Sequence, residues 1–200
     1  DSSTYHSQPK FAPLGSNGFV AVFTTSNRWD QASLTRSDIS DEAVYGQLFN
    51  SSHQKVGGEF QINTYTTGNQ NASQVLTLSN GNFLVIWTSI GQDGNATGVY
   101  GRIYQASGTP VGGELQINTE TDGDQTNPRA LATADGGFYV VWTSNSSKHG
   151  GQGWDIFGQR FDSSGAKIDN EVQINTFDDS DQRMPDIVSA GSGKGLVLWN

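Results

Sequence analysis

Cysteine is absent from the 200 residues, so no disulfide, thiolate nucleophile or thiolate metal ligand can be built from them. Proline is scarce, with 5 residues, and methionine occurs once. Positive charge is in deficit: 11 Lys and Arg stand against 20 Asp and Glu, a formal charge of −9. Phosphate backbones and anionic membrane surfaces are bound through clustered Lys and Arg, so neither nucleic acid nor such a surface is an expected partner. Long apolar runs are missing too. None approaches the roughly 18–20 residues of a membrane span. No signal-peptide pattern stands at residue 1, so a secreted form is expected to have lost its leader.

What is present points to β structure. Glycine is abundant (25 residues), Asn, Ser and Thr are frequent, and aromatic residues make up 10% of the chain. Short strands joined by tight turns carry such a composition. Hydrophobic residues supply 34%, enough for a packed core once glycine is counted with them.

One phrase recurs: GGEFQINT (57–64), GGELQINT (112–119) and NEVQINT (170–176). It anchors a longer repeat. Asn63, Asn118 and Asn175 are 55 and 57 residues apart, as are Gly46, Gly101 and Gly158, and Gln70, Gln125 and Gln182. Trp87, Trp142 and Trp199 keep the same spacing, and Phe23 precedes Trp87 by 64 residues. The excess lies in NRWDQASLTRSDISDEA (27–43), a loop insertion.

Each repeat reads as four strands. A mixed first strand leads through Asn80-Gly81, Asp135-Gly136 or Ser192-Gly193 into a continuous apolar run such as FLVIW (83–87) or FYVVW (138–142). Asn-Gly and Asp-Gly favour two-residue hairpins, and a run without polar alternation suits a strand buried on both faces. The third strand, as in VYGQLF (44–49), carries a glycine expected to lack room beside a neighbouring sheet. The fourth alternates, with Phe60 and Ile62 inward and Glu59, Gln61 and Asn63 outward. The fold expected is therefore all-β: tandem four-stranded antiparallel sheets, β-propeller-like, with about three and a half blades. One repeat domain spans residues 1–200, with units of about 6–64, 65–119, 120–176 and a partial 177–200. The apolar strand LVLW (196–199) is left with an edge that further polypeptide or another molecule is expected to cover.

The pattern GGE-x-Q-INT, Q-x-x-P, DGGF-x-VVW and G-x-IFGQRF-D-x-SG resembles the propeller-like repeats of large secreted bacterial and ciliate surface proteins. The resemblance covers essentially the whole chain, most clearly residues 56–199. It implies a repeat architecture outside the cell and carries over no catalytic residue.

Candidate sites follow from the loops. Asn50, Asn71, Asn95 and Asn145 head N-x-[ST] sequons and fall in or beside loops, as glycan attachment requires. Loops between second and third strands should share a face with those joining consecutive units. On that face Asp122 and Asp124 align with Asp179 and Asp181; acidic surface turns of this kind are more often simply solvated, and the alternative is that these carboxylates serve as oxygen ligands for calcium. Trp29-Asp30 and Trp154-Asp155 offer an aromatic platform beside a carboxylate for sugar binding. No H-E-x-x-H, G-x-S-x-G or phosphate-binding glycine loop occurs, and His6, His53 and His149 lie in different loop environments. The expectation is a secreted or cell-surface, N-glycosylated protein that is not an enzyme and requires no cofactor. It would be a structural or adhesive subunit, assembling with its own copies into a ring or filament through unpaired sheet edges. The alternative is a carbohydrate-binding, lectin-like propeller assisted by calcium.

Overall fold

A computed structural model of the chain describes residues 5–26, 29–30, 35–36, 42–147, 153–177, 180–191 and 194–200. For Tyr5, His6, Trp29, Asp30, Thr35, Arg36, Ala72 and Ser73 it describes the backbone alone. The first sheet comprises β1 (Tyr5–Pro13), β2 (Phe19–Ser26), β5 (Glu42–Phe49) and β6 (Lys55–Gln61). Between β2 and β5, in the insertion, β3 (Trp29–Asp30) and β4 (Thr35–Arg36) pair as a short ribbon. The second sheet holds β7 (Gln70–Thr77), β8 (Phe83–Ile90), β9 (Thr97–Tyr104) and β10 (Leu115–Gln116). The third holds β11 (Gln125–Ala132), β12 (Phe138–Ser144), β13 (Asp155–Phe161) and β14 (Lys167–Gln173). A two-stranded sheet of β15 (Asp186–Gly191) and β16 (Lys194–Leu198) follows. Every pairing is antiparallel, with β2 pairing β5 across the inserted ribbon, and a 3₁₀ turn, Gly15–Asn17, lies between β1 and β2. The chain is all-β and built of repeated four-stranded sheets.

The apolar second strand β8 is sandwiched, whereas Leu196 and Leu198 of β16 are exposed. Phe83, Val85 and Trp87 of β8 join Val20, Val22 and Leu48 of the first sheet in one core. Leu84 and Ile86, on the other face of β8, join Phe138, Val140 and Trp142 of the third sheet in a second core. With side chains alternating across a strand, both faces being buried demands an unbroken apolar run. Phe19–Phe49, Phe83–Tyr104 and Phe138–Phe161 stack across each sheet at 4.7, 5.2 and 4.9 Å between ring centroids. Each such pair stabilises its sheet by roughly 0.2–1 kcal/mol.

Three local expectations are corrected. At Asn80-Gly81 the hairpin is a three-residue loop: the Leu78 amide donates to Asn82 O and the Gly81 amide to Leu78 O, a type I turn with Gly81 at φ 85°, while Ser192-Gly193 lies outside the described residues. The Thr133–Gly137, Gln105–Thr109 and Asp162–Ala166 turns repeat that bonding, and His53, at φ 60°, takes the glycine position in Asn50–Gln54. Asn and Asp therefore precede the left-handed residue instead of occupying a two-residue turn. The third-strand glycines are crowded by their own sheet. A Cβ on Gly158 would lie 3.1 Å from Ile174 Cδ1, and one on Gly46 would lie 2.8 Å from the Phe60 ring. Finally, Asn63, Asn118 and Asn175 are buried, because each lies just beyond its outer strand and folds back into the junction with the next unit.

That junction explains the repeated phrase. Asn118 Oδ1 accepts the Val99 amide at 2.8 Å, and its Nδ2 donates to Glu120 O and Gln125 Oε1, both at 3.0 Å. Asn63 does the same with Val44, Tyr65 and Gln70, and Asn175 with Ile156, Phe177 and Gln182. One amide thus ties a third strand, the connecting loop and the glutamine opening the next sheet. The Glu of the following unit closes the link: Glu114 accepts the Thr64 amide, and Glu171 accepts the Thr119 amide at 2.6 Å. Tyr104, whose hydroxyl burial pushes up to about 12, stays protonated and donates to Ile62 O at 3.2 Å.

Candidate functional site

Successive sheets meet through their first strands: β1 packs on β7, β7 on β11, and β11 on β15. Each long first strand breaks its register one turn after it begins, between Ser7 and Lys10, between Ala72 and Gln74, and between Thr126 and Arg129. A bulge places two residues against one and re-aims the side chains around it. Gln8 and Asn127 sit in these bulges at φ 54° and 52°, and Met184, the equivalent residue before β15, at 52°. All three precede a proline. Non-glycine residues at such φ cost on the order of 1 kcal/mol or more each, and such strain gathers at functional sites.

The bulges enclose a polar cleft of about 320 Å³ lined by Gln8, Lys10, Asn71, Thr88, Thr126, Asn127 and Arg129. Asn127 and Arg129 also line a neighbouring hollow of about 230 Å³ with Met184, Pro185 and Asp186. Two of the chain's 11 basic residues converge here, on a molecule of formal charge −9. Arg129 Nη1 donates to Pro128 O at 2.9 Å, which steers its guanidinium along the strand. The arrangement offers cations, carboxamides and hydroxyls, but among its lining side chains no carboxylate except Asp186. It suits recognition of a hydroxylated ligand that carries negative charge.

The expected sites are scattered by comparison. Asn95 is exposed in a loop, its Oδ1 accepting the Ala96 amide at 2.8 Å. Asn50 opens a turn and accepts the Ser52 and Gln54 amides. Asn145 is engaged, its Oδ1 accepting the Asp124 amide at 2.6 Å. Asn71 lies within β7, opposite Thr88, and lines the cleft. Loops between second and third strands do share a face with the connecting loops: Asp122 accepts the Ser147 hydroxyl at 2.7 Å, and Asp181 accepts the Trp154 amide at 3.2 Å.

On that face the acids have protein partners. The Arg183 guanidinium holds the Asp181 carboxyl below its ordinary range through a 2.8 Å contact. Asp179 lies outside the described residues, and among those described no group of three or more His, Asp or Glu side chains could hold a metal ion. Arg183 also covers one face of the Trp154 ring at 4.3 Å from its centroid. Asp155 is buried and accepts Asn175 Nδ2 at 2.7 Å, so it braces the junction instead of facing solvent. Trp29 and Asp30 are described in backbone only, paired with Arg36 and Thr35. The cleft was not legible as a motif, because Lys10, Asn71, Asn127 and Arg129 come from three repeats and share no local pattern. The signal available was Lys10 and Arg129 standing at the same repeat position as Gln74 and Asp186.

No protein-family profile and no curated protein matches the chain. Solved structures do. An endo-arabinase from Bacteroides thetaiotaomicron superposes with a TM-score of 0.54 at 11% identity, covering 100% of this chain and 72% of that one. A protein of unknown function from Dyadobacter fermentans gives 0.67 at 10% identity, covering 100% and 63%. An N-acetylgalactosamine deacetylase from F. plautii, solved with blood group B trisaccharide, gives 0.54 at 12%, covering 94% and 60%. The likeness is one of fold. The chain spans only part of each of these proteins' length.

The expectation that the chain is not an enzyme is overturned by these neighbours: two of the three carry enzyme names on the same fold. A site assembled from several sheets leaves no contiguous motif, so the missing sequence signatures decided nothing. No helix among the described residues is long and apolar enough to cross a membrane.

Proposed function

We propose that this chain is a carbohydrate-engaging module whose sheets are blades of a β-propeller, working outside the cell. The cleft between β1, β7 and β11 holds a sugar bearing a carboxylate or sulfate. The observation that carries this reading is the convergence of Lys10 and Arg129 with Asn71, Thr88 and Asn127 around about 320 Å³, within the size range of small-molecule sites. A guanidinium grips a carboxylate or sulfate through paired N–H donors, while an ammonium adds a point charge and the amides take hydroxyls. The names of two fold neighbours, an endo-arabinase and a deacetylase solved with a trisaccharide, support a carbohydrate ligand. The resemblance to repeats of secreted surface proteins supports the extracellular setting.

Glycan-array binding with the intact chain tests this. Uronic, sialic or sulfated glycans are expected to bind, and Lys10→Ala with Arg129→Ala to weaken them at least tenfold with the circular dichroism unchanged. Equal retention of neutral glycans, or loss of binding on Trp154→Ala alone, overturns it. Release of sugar or acyl groups in the same incubation reads directly whether the bound glycan is turned over.

A structural or adhesive role, with subunits joined at sheet edges into a ring or filament, is the second reading. It is favoured by exposed Leu196 and Leu198 on β16. It requires concentration-dependent association in sedimentation, reduced by Leu198→Asp.

A further inference from the structure

Lys10, Gln74, Arg129 and Asp186 stand at one repeat position on β1, β7, β11 and β15, first strands that pack each on the next. Gln74 is satisfied within the chain, since its Oε1 accepts the Ala130 amide at 2.6 Å and its Nε2 donates to Ala130 O at 3.2 Å. The three charged members are not. Ion pairs among the described residues join Lys55 to Glu59, Arg160 to Asp135 and Arg183 to Asp181, and none involves Lys10, Arg129 or Asp186. Arg129 Nη1 donates to the adjacent Pro128 O, and Asp186 Oδ1 accepts the amide of its neighbour Ile187 at 2.9 Å, so both charges lack a counter-ion.

Their placement is ordered. Lys10 and Arg129 both line the cleft of about 320 Å³. Arg129, with Asn127, also lines the hollow of about 230 Å³ that holds Asp186, between the packed strands β11 and β15. Asn127 and Arg129 thus form a shared wall, with a second cation on one side and a carboxylate on the other. Lys10 and Arg129 are half-buried, and charge drawn out of water without a partner is unfavourable. They stay unpaired in a chain where 20 acidic residues stand against 11 basic ones. Opposite charges held on two sides of one wall complement a ligand that is itself dipolar.

Resting on the reading of this cleft as a charged-sugar site, we propose that its ligand is zwitterionic: an acidic glycan with a free, protonated amino group on the adjoining sugar. The carboxylate or sulfate lies between Lys10 and Arg129, where a guanidinium and an ammonium converge. The amino group enters the neighbouring hollow and donates to Asp186 Oδ2, the oxygen that Ile187 does not use. The Asn127 carboxamide, common to both hollows, takes hydroxyls between the two charges. Asp186 at the same time repels a second acid, so a polyanion with an acid on every sugar is selected against.

The test titrates the intact 200-residue chain by calorimetry with two disaccharides of a uronic acid and glucosamine, identical except that one has a free amine and the other an N-acetyl group. The free amine is expected to bind about fivefold more tightly, which is what an exposed carboxylate–ammonium contact supplies. Asp186→Asn should bring that ratio to within about twofold of one. The variant's amide oxygen still takes the Ile187 amide, and circular dichroism checks that the fold is kept. Equal binding of the two disaccharides to the unaltered chain overturns this inference and leaves the charged-sugar reading standing, as does a preference that survives Asp186→Asn. Binding of neither disaccharide overturns both. Glycylglycine, a zwitterion without sugar hydroxyls, also overturns both if it binds as tightly as the amino disaccharide.

Discussion

Replacing Asn118 with alanine tests whether the buried amide or apolar packing holds consecutive units together. Asn118 is fully buried and makes one accepted and two donated hydrogen bonds within 3.0 Å. Alanine leaves the buried Val99 amide without its acceptor and deprives Gln125 Oε1 of a donor. Each orphaned buried group costs about 1–3 kcal/mol, so the loss is about 2–6 kcal/mol. That is a large fraction of the roughly 5–15 kcal/mol available to a domain. With a urea dependence of about 2 kcal/mol per molar, the unfolding midpoint falls by about 1–3 M. Tryptophan fluorescence and circular dichroism in urea measure it, with Asn50→Ala in an exposed turn as the control. Asn118→Asp separates the network from side-chain volume. The carboxylate still accepts from Val99 but cannot donate, and it sets a buried charge near Asp93, whose Oδ2 is 3.4 Å from Asn118 Nδ2. It should therefore destabilise at least as much as alanine. A loss below about 1 kcal/mol for Asn118→Ala, or a benign Asn118→Asp, would refute the reasoning.

Gly158→Ala drives a Cβ to 3.1 Å from Ile174 and 3.4 Å from Val141; a cost of about 1–3 kcal/mol in thermal or urea unfolding is expected, partly recovered by Ile174→Val. Trp142→Ala should cost about 3–5 kcal/mol, while Trp199→Ala, at a 42% exposed position, should cost far less in the same assay. The Asp135 carboxyl is held below its ordinary range first by the Thr133 hydroxyl, then by the Gly137 amide and Arg160. Because its folded value is depressed, its contribution is complete above the ordinary carboxylate range and fades as pH falls through the folded value. An NMR titration should place its midpoint below that of an unperturbed aspartate, and Thr133→Val should raise it. Produced in a eukaryotic secretory host, the chain should carry glycan at exposed Asn95 and none at Asn145, whose amide is engaged with Asp124; glycopeptide mass spectrometry reads both sites.

Strand order and the doubly buried strand β8 could be read from periodicity because the pattern recurs at 55–57 residues and has one physical cause. The run FLVIW is apolar throughout because Phe83, Val85 and Trp87 face one core while Leu84 and Ile86 face the other. Asn63, Asn118 and Asn175 were misplaced because alternation along a strand says nothing beyond the strand's last ladder bond, where the backbone turns and buries the side chain. The third-strand glycine was identified, but its neighbour was not, since one strand's sequence cannot tell Ile174 of the same sheet from an adjacent sheet. The cleft was hidden for a different reason. It draws its side chains from β1, β7, β8 and β11, and register breaks at the bulges decide which of them point inward.

Internal repetition separates architecture from recognition within a single chain. Where a position serves the frame, all units need the same chemistry, and the residue recurs: Asn63, Asn118 and Asn175 make one set of bonds three times. Where a position faces the cleft, units are free to differ, because each contributes one wall of a single site. Lys10, Gln74, Arg129 and Asp186 occupy equivalent places and are a cation, an amide, a cation and an acid. Gln74 is spent on the Ala130 backbone, taking its amide at 2.6 Å and giving to its carbonyl at 3.2 Å, and so fixes β7 against β11. The left-handed backbone recurs at Gln8 and Asn127 in their bulges and at Met184 before β15, while the side chains there diverge. A recurring distortion that presents unlike side chains suits a site without repeat symmetry, as the proposed charged-sugar ligand would need.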